Sequence, residues 1–197
     1  MRISAPIFRR QLAFTLIELM VGVAVLAILL AIAVPSFRST VASNRLSATT
    51  NDVVGAIALA RSEAIRRGVR VTVCKSAAGT ACTTAGQWSQ GWIVFVDTTR
   101  AGADAALDAG EVVVARGMAT PGGVSIQGTA TVANYLSFAA DGTVRTLAGT
   151  ALAGSLLVCS NAAALADTAR ARRLDLSSAG RVAASTVTAT ASCPAPT

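Results

Sequence analysis

The 197-residue sequence contains no histidine, and this absence removes several kinds of site. A Ser–His–Asp triad or a Cys–His pair needs an imidazole as its base, so neither can be built. The four cysteines form no C-x-x-C pair, which together with the missing histidine argues against a zinc site. No P-loop and no dinucleotide-binding glycine motif occurs either. We therefore expect a protein that is not an enzyme and that uses no cofactor or metal.

Aromatic residues are also scarce, and the excess of positive charge is smaller than it first looks. Aromatic side chains make up 4% of the chain, so the core must be built mainly from Val, Leu, Ile and Ala. The formal charge is +7, but three of the seventeen Lys and Arg lie within residues 1–13. Without that segment, fourteen basic residues remain against ten acidic ones. The charge of the whole chain therefore overstates how basic the remainder is.

The apolar run at residues 14–34, FTLIELMVGVAVLAILLAIAV, is long enough to cross a membrane. A spanning helix needs roughly 20 apolar residues. Arg2, Arg9 and Arg10 precede the run with no acid among them, which predicts a cytoplasmic N-terminus and a translocated C-terminal part. Glu18 is the only ionisable residue in the run, and a carboxylate within a spanning segment costs about 2.5–3.5 kcal/mol. We expect a chain that keeps such a residue to use it.

After Pro35 the apolar residues recur mainly at three- and four-residue steps: Leu46, Val53, Ile57, Ala60 and Ala64. This spacing is typical of a helix that lays one apolar stripe on a globular domain. Gly68 follows Arg66 and Arg67 and suits a helix C-cap, because cations in the last turn interact favourably with the helix dipole. We expect one helix from Phe14 to Arg67, bent near Pro35 because proline removes a backbone donor.

Short β-type runs separated by turn signals follow this helix. The predicted strands are residues 69–74, 91–96, 111–115, 124–127, 132–138, 155–159 and 172–176. The turn signals are Pro121-Gly122-Gly123, Asp141-Gly142 and Ala179-Gly180. Strands after a single helix predict an α+β fold with an antiparallel sheet packed on that helix. Residues 183–197, rich in Ala, Thr and Ser, are expected to be disordered unless Cys193 ties them down.

All four cysteines, Cys74, Cys82, Cys159 and Cys193, follow the apolar run, on the side that is predicted to be oxidising. An even count there predicts two disulfides, for which three pairings are possible. We expect Cys74–Cys82, which closes a short loop after a strand. We also expect Cys159–Cys193, which ties the C-terminal residues to the strand ending at Cys159.

The segment Ala13-Phe14-Thr15-Leu16-Ile17-Glu18, between a basic leader and an apolar run, closely resembles the type III signal of type IV pilins and pseudopilins. The resemblance implies that a prepilin peptidase cuts between Ala13 and Phe14 and methylates the new amine of Phe14. The family residue before the cut is Gly, for which Ala13 is a small substitute. The resemblance also implies that Glu18 pairs with the N-terminal amine of a neighbouring subunit, and that Pro35 bends the helix.

Residues 60–67, the strand ending at Cys74 and residues 87–97 are similar to one branch of that family, the GspH pseudopilins and the FimT/FimU minor pilins. A type IV pilin-like fold is implied, with four parts: a leader at residues 1–13, a transmembrane helix at 14–34, its amphipathic continuation at 35–67 and a β-rich globular domain at 68–197. The implied subunit waits in the inner membrane, with its N-terminus cytoplasmic and its head periplasmic. It then joins a type IV pilus or a type II secretion pseudopilus together with other minor and major pilins or pseudopilins.

Other interpretations of the apolar run stay open. It could be an ordinary uncleaved anchor of a periplasmic domain without a filament role. It could also be a conventional secretory signal, because Ala31-Ile32-Ala33 is an A-x-A sequence after an apolar region.

A further alternative is a DNA-binding minor pilin of the FimT type. Four arginines near the C-terminal end could contact phosphates: Arg170, Arg172, Arg173 and Arg181. FimT-type proteins use a Gly-Arg-x-Arg/Lys motif, but Ala183 stands where the second cation would be, and Asp175 offsets part of the charge. A solvated hairpin is therefore favoured over a DNA site.

Two more groups of residues have a structural and a functional interpretation. Trp88 and Trp92 are expected to pack between helix and sheet rather than to form a stacking surface. Four acidic residues crowd the connection that follows: Asp97, Asp104, Asp108 and Glu111. Such a density of oxygen ligands could bind Ca²⁺, but the spacing does not match an EF-hand, so a solvated loop is expected.

Overall fold

The computed structural model describes residues 14–99 and 103–196. Ala13 and the rest of the expected leader lie outside the described residues. The chain divides into two compact units, residues 1–38 and residues 39–197, and helix α1 (Leu16–Arg67) contributes to both. Eight strands follow α1 within the described residues: β1 (Val71–Lys75), β2 (Trp92–Val96), β3 (Val113–Gly117), β4 (Val124–Gly128), β5 (Tyr135–Phe138), β6 (Gly154–Ser160), β7 (Ala171–Leu176) and β8 (Val182–Val187).

In the first unit, α1 carries the apolar run. By length and composition the helix is able to cross a membrane, and none of its most apolar stretch is buried. Pro35 lies inside the helix, which continues past it, so the loss of one backbone donor does not end α1. The single helix predicted over this region is confirmed, whereas the bend at Pro35 stays a prediction.

The second unit contains two four-stranded antiparallel sheets. Sheet A has the strand order β3-β2-β1-β5, and sheet B has the order β4-β6-β7-β8. The predicted α+β class, with antiparallel strands packed on a helix, is confirmed. The prediction specified one sheet rather than two, because strand patterns do not reveal which strands become neighbours.

The main core lies where α1 meets the inner faces of both sheets. Helix side chains at three- and four-residue steps enter it: Leu46, Val53, Ile57, Ala60 and Ala64. Alternate strand side chains complete it, because successive residues of a strand point to opposite faces. They include Val71, Val73, Trp92, Val94, Ile126, Leu136, Phe138, Leu156, Val158, Leu174 and Leu176. The apolar stripe predicted for the helix is therefore confirmed.

Each sheet also buries part of its outer face, and a disulfide lies in each of these clusters. Cys74–Cys82 lies on sheet A and Cys159–Cys193 on sheet B, each with a Cα–Cα distance of 5.6 Å. The clusters also contain Ile93, Phe95, Leu157, Ala171 and Ala189. Both expected pairings form, and they hold covering segments onto the two sheets.

The C-terminal region is more ordered than its composition suggests. Residues Val182–Val187 form β8, which pairs with β7 from Val182↔Leu176 to Val187↔Ala171. Gly180, at a φ of 78°, makes the turn between the two strands. Order was expected only through Cys193, and no strand was predicted here. A mostly exposed edge strand lacks the apolar alternation by which strands are recognised.

The bounds of two other strands also differ from the prediction. The strand expected at residues 132–138 begins only at Tyr135, because residues Ala130–Val132 form a 3₁₀ turn instead. The strand expected at residues 111–115 is β3, shifted by two residues towards the C-terminus.

Candidate assembly site

The start of α1 is capped by a side chain next to the expected cleavage point. The backbone N–H of Glu18 donates to Thr15 Oγ1 at 3.3 Å, and that of Leu19 donates to the Thr15 carbonyl at 3.2 Å. Thr followed by Glu three residues later is the sequence spacing of a capping box, and the Thr15 half of that motif forms here. The carboxylate of Glu18 also lies in the first turn, where it interacts favourably with the helix dipole.

Glu18 places a carboxylate on the apolar surface of α1. Within residues 14–99 and 103–196 its carboxylate has no hydrogen-bond or ion-pair partner, and the residue is exposed. It borders a shallow concavity of about 290 Å³ with Phe14, Leu19 and Gly22 among the lining residues. A side chain added at Gly22 would meet nothing within 4 Å, so the surface beside Glu18 is open to an approaching group.

The arginines of the β7–β8 hairpin do not share one surface. Arg172 and Arg173 are consecutive in β7, so they project from opposite faces of sheet B. Arg172 Nη1 donates to the carbonyls of Ala169 and Ala171, at 3.1 and 3.0 Å. A phosphate backbone on one face of the sheet could not contact both guanidinium groups.

Arg173 is paired within its own strand. Its Nε donates to Asp175 Oδ1 at 2.7 Å, and its Nη2 donates to Ser155 Oγ at 3.1 Å. The pKa of Asp175 lies below its ordinary value, first because Ser155 Oγ donates to the carboxylate and second because of Arg173. The charge of Arg173 is therefore largely compensated in place.

The other two arginines of this region have different surroundings. Arg170 is buried, and its guanidinium group donates to Asp167 Oδ1 at 2.8 Å and to the Ser160 carbonyl at 3.2 Å. The Arg181 side chain is exposed, and among the described residues it has no hydrogen-bond or ion-pair partner. The structure therefore does not bring Arg172, Arg173 and Arg181 together.

Asp97 does not belong to a solvated loop, which corrects the expectation for this residue. It is 4% exposed, and its Oδ2 accepts a hydrogen bond from Thr72 Oγ1 at 2.7 Å. Thr72 and Ser137 also bond to each other, and Arg70 Nη1 donates to Ser137 Oγ at 3.2 Å. Burial raises the pKa of Asp97, while the Thr72 hydrogen bond and the positive charge of Arg70 partly oppose the rise.

The remaining acidic side chains of the connection order the loop itself. Glu111 accepts hydrogen bonds from the backbone N–H groups of Thr98, Thr99 and Asp108, at 2.7, 3.1 and 3.0 Å. Partial burial acts to raise the pKa of Glu111, but these backbone donors outweigh it and lower the pKa. Asp104 Oδ1 accepts from Asn134 Nδ2. Across residues 14–99 and 103–196, no group of three or more Cys, Asp or Glu side chains is arranged to hold a metal.

Both tryptophans lie in the main core, as predicted. Trp88 Nε1 donates to the Val132 carbonyl at 3.1 Å, which satisfies the indole inside the core. Trp92 packs directly on Gly117 of β3, where a Cβ atom would lie 2.0 Å from Trp92 Cε2. The need for glycine at this position was not visible from the sequence, because it depends on a neighbouring strand.

Lys75 is a second residue whose role the sequence did not reveal. It is 3% exposed, and its Nζ donates to the carbonyls of Thr84 and Gly86, both at 2.9 Å. These bonds hold the segment that follows Cys82 against the start of the disulfide loop. Burial lowers the pKa of Lys75, and the negative charge of Asp104 partly opposes that shift.

Comparisons with known proteins give two family matches and two structural ones. Residues 49–180 match the family of the type II transport protein GspH, and residues 8–34 match the prokaryotic N-terminal methylation motif. Two crystal forms of the type IV minor pilin FimU from Pseudomonas aeruginosa are each similar to the chain, at 20% identity and a TM-score of 0.45. The matches cover 80% and 74% of this chain and 91% of the FimU chain in each form. No curated protein sequence matches the chain.

Proposed function

Because the chain belongs to the GspH family of type II transport proteins, we propose that it assembles into a filament through Glu18 and the amine of a neighbouring chain. The protein is a structural pilin or pseudopilin subunit, anchored to a membrane by its apolar N-terminal helix. Its methylation motif implies processing by a prepilin peptidase and partners from the pilin family.

The processing step is assigned to the bond between Ala13 and Phe14. Helix α1 begins at Leu16 and is capped by Thr15, so cleavage at the assigned bond removes no residue of α1. The new N-terminus at Phe14 would then carry the methylated amine four residues before Glu18. Cleavage would occur at the cytoplasmic face of the inner membrane, since the basic leader favours a cytoplasmic N-terminus.

The observation that carries the assembly mechanism is the unpartnered carboxylate of Glu18 on an apolar helix surface. A bare carboxylate in the bilayer is costly, so a cation placed beside it lowers the free energy of the assembled state. The methylated amine of a neighbouring subunit is such a cation, and it reaches Glu18 only when the two helices are in the correct axial register. The pairing therefore lowers the free energy of assembly only when the two helices dock in that register.

In this proposal the β-rich head lies in the periplasm until the subunit joins a type IV pilus or a type II secretion pseudopilus. Its partners are other minor and major pilins or pseudopilins. The DNA-binding alternative gains no support, because Arg172 and Arg173 project from opposite faces of sheet B and Arg173 pairs with Asp175.

Two measurements on cells that make the protein test this function together. Sequencing the mature N-terminus should give Phe14, and the chain should co-purify with sheared pili or with an isolated pseudopilus. A mature chain that starts at Val34 would indicate a conventional secretory signal. A chain that stays in the membrane fraction under filament-forming conditions would indicate an anchored domain without a filament role.

A further inference from the structure

A groove runs along the second-unit part of α1 beside the turn into β8. Its volume is about 430 Å³, within the range of about 300–1,000 Å³ typical of ligand clefts. Apolar side chains and two arginines line it: Val54, Ile57, Ile65, Val182, Arg61 and Arg181. We refer to it as the Arg61 groove. Ile65 is 52% exposed here, so part of the apolar lining is open to solvent.

The groove carries the positive charge of two arginines, neither of which forms an ion pair with another described residue. Arg61 Nη1 donates to the Gly180 carbonyl at 3.0 Å, while its Nε is buried and has no hydrogen-bond partner. In the part of the chain that the structure describes, no carboxylate lies within 4.0 Å of either Arg61 or Arg181. An arginine side chain stays charged at any relevant pH, so the groove is permanently cationic.

The turn at Gly180 contacts the Arg61 side chain and orders the backbone of Arg181. Gly180 has a φ of 78°, and a Cβ there would lie 2.2 Å from the Gly142 carbonyl oxygen and 3.0 Å from Arg61 Nε. The Ser177 N–H donates to the Arg181 carbonyl at 3.0 Å, and the Arg181 N–H donates to Ser177 Oγ at 3.2 Å. Because the backbone around Arg181 is already ordered, a ligand that binds its guanidinium group need not order the turn.

We propose that the Arg61 groove receives an acidic, partly apolar segment of a neighbouring pilin-family subunit. This inference rests on the proposed function and adds to it a site and a partner chemistry. A carboxylate of the segment pairs with Arg61 and Arg181, and apolar side chains cover Val54, Ile65 and Val182. β8 is the edge strand of sheet B, so its unpaired side leaves backbone groups for an extended segment to use.

Charge complementarity is the reason for choosing this occupant. Charged groups across an interface determine which partner binds and in which register. Nucleic acid is the other anionic partner, but its affinity comes from many phosphate contacts, and Arg172 and Arg173 are not placed to add them. A phosphate backbone would also leave the apolar lining of the groove uncovered.

The test uses a photo-crosslinking residue in the full chain, in cells that assemble the filament. Position 62 is suitable because Ser62 is exposed and lines the groove, and position 168 serves as control because Thr168 is exposed and lies outside it. We expect an adduct from position 62 alone, formed with a pilin-family subunit and mapped to a segment that contains Asp or Glu. Filament incorporation of the unlabelled wild-type chain is measured in parallel.

Charge-reversal variants then test whether the yield of the adduct depends on the arginines of the groove. Arg181→Glu should reduce the yield about tenfold or more. Arg45→Glu, at an exposed arginine of the same helix outside the groove, should leave it unchanged. Changing the mapped partner acid to Arg should restore the yield with Arg181→Glu. Peptide mapping that finds both disulfides intact in Arg181→Glu shows that the variant has folded.

Three results would overturn the proposal: equal adducts from positions 62 and 168, an adduct that Arg181→Glu does not reduce, and an adduct with nucleic acid. None of these bears on the proposed function as long as the wild-type chain still enters filaments. Conversely, an Arg181-dependent adduct with a pilin-family subunit in a chain that never enters filaments would support the groove and contradict the filament role.

Discussion

At the scale of single residues, a substitution at Glu18 is expected to have a large effect on incorporation into filaments. Glu18→Ala removes the carboxylate that we propose pairs with a neighbour's amine, and it also removes the cost of holding a charge in the bilayer. We expect the variant to reach wild-type levels or more in the membrane fraction while its content in sheared filaments falls about tenfold or more. Quantitative immunoblots of both fractions measure this.

Glu18→Asp serves as the control, because it keeps the charge on a shorter side chain and should recover part of the incorporation. If Glu18→Ala entered filaments as well as the wild type, Glu18 would have no role in docking.

Asp97 gives the second prediction at this scale. Burial raises its pKa above the ordinary value of 3.8, so between the two values the native state holds a proton that the unfolded chain has released. The free energy of unfolding contributed by Asp97 is therefore full below about pH 3.8 and is lost as pH rises through the folded-state pKa. Asp97→Asn keeps an acceptor for Thr72 Oγ1 but does not titrate.

We therefore expect the stability of Asp97→Asn relative to the wild type to increase from about pH 3 towards neutral pH. Urea unfolding of the full chain in detergent across that range gives the difference in unfolding free energy. A difference that stays constant or shrinks with rising pH would show that ionised Asp97 is not disfavoured in the native state.

At the scale of elements, the side chain that a strand position can accommodate depends on the neighbouring strand. Gly117 of β3 lies against the ring of Trp92 in β2, and a Cβ would overlap that ring. Gly117→Ala must displace a buried tryptophan or bend an edge strand, so a loss of about 1–3 kcal/mol in unfolding free energy is expected.

Gly122→Ala is the matched substitution, since a Cβ there meets nothing within 4 Å. It should change the unfolding free energy by no more than about 0.5 kcal/mol. Equal effects of the two substitutions in denaturant titrations would mean that the Trp92 contact is not limiting.

The elements themselves differ in how far the sequence predicts them. The helix and the strands around residues 69–74 and 91–96 carry strong local patterns, so they were located within about two residues. β8 was not, because its residues are mostly exposed and its order comes from pairing with β7. The contact between Arg61 and the Gly180 turn could not be foreseen, because the two residues are 119 positions apart in the chain.

At the scale of the whole molecule, the two disulfides should contribute unequally. Cys74–Cys82 spans 8 residues and Cys159–Cys193 spans 34, and in the loop-entropy description the longer loop constrains the unfolded chain more. Replacing both cysteines of the longer loop with Ser should cost about 3.8 kcal/mol, against about 2.5 kcal/mol for the shorter one.

Unfolding free energies of the two double variants, measured against the oxidised wild type, decide the order. A larger loss for the Cys74–Cys82 pair would show that loop length does not determine the order of the two contributions.

The site, like the fold, was predictable only where the signal is local in sequence. Ala13, Phe14 and Glu18 belong to one short motif, and their roles in cleavage and docking stay predictions from it. The cysteine pairs followed from their positions relative to predicted strands. The opposite faces of Arg172 and Arg173 were already implied by the strand predicted at residues 172–176, because successive strand residues alternate. The position of Arg181 could not be foreseen, since it depends on the turn at Gly180.

The position of Cys193 after β8 has a consequence for the timing of maturation. If the part of the chain after α1 crosses the membrane in sequence order, as the proposed orientation implies, Cys159 reaches the oxidising side before β7, the hairpin turn and β8 have emerged. Its correct partner arrives only when all of sheet B has crossed. Until then the only thiols available to Cys159 are those of the earlier pair, so rapid closure of Cys74–Cys82 would protect the chain from mispairing. The second bond would then act as a mark of completed translocation, distinguishing heads ready for assembly from those still in transit.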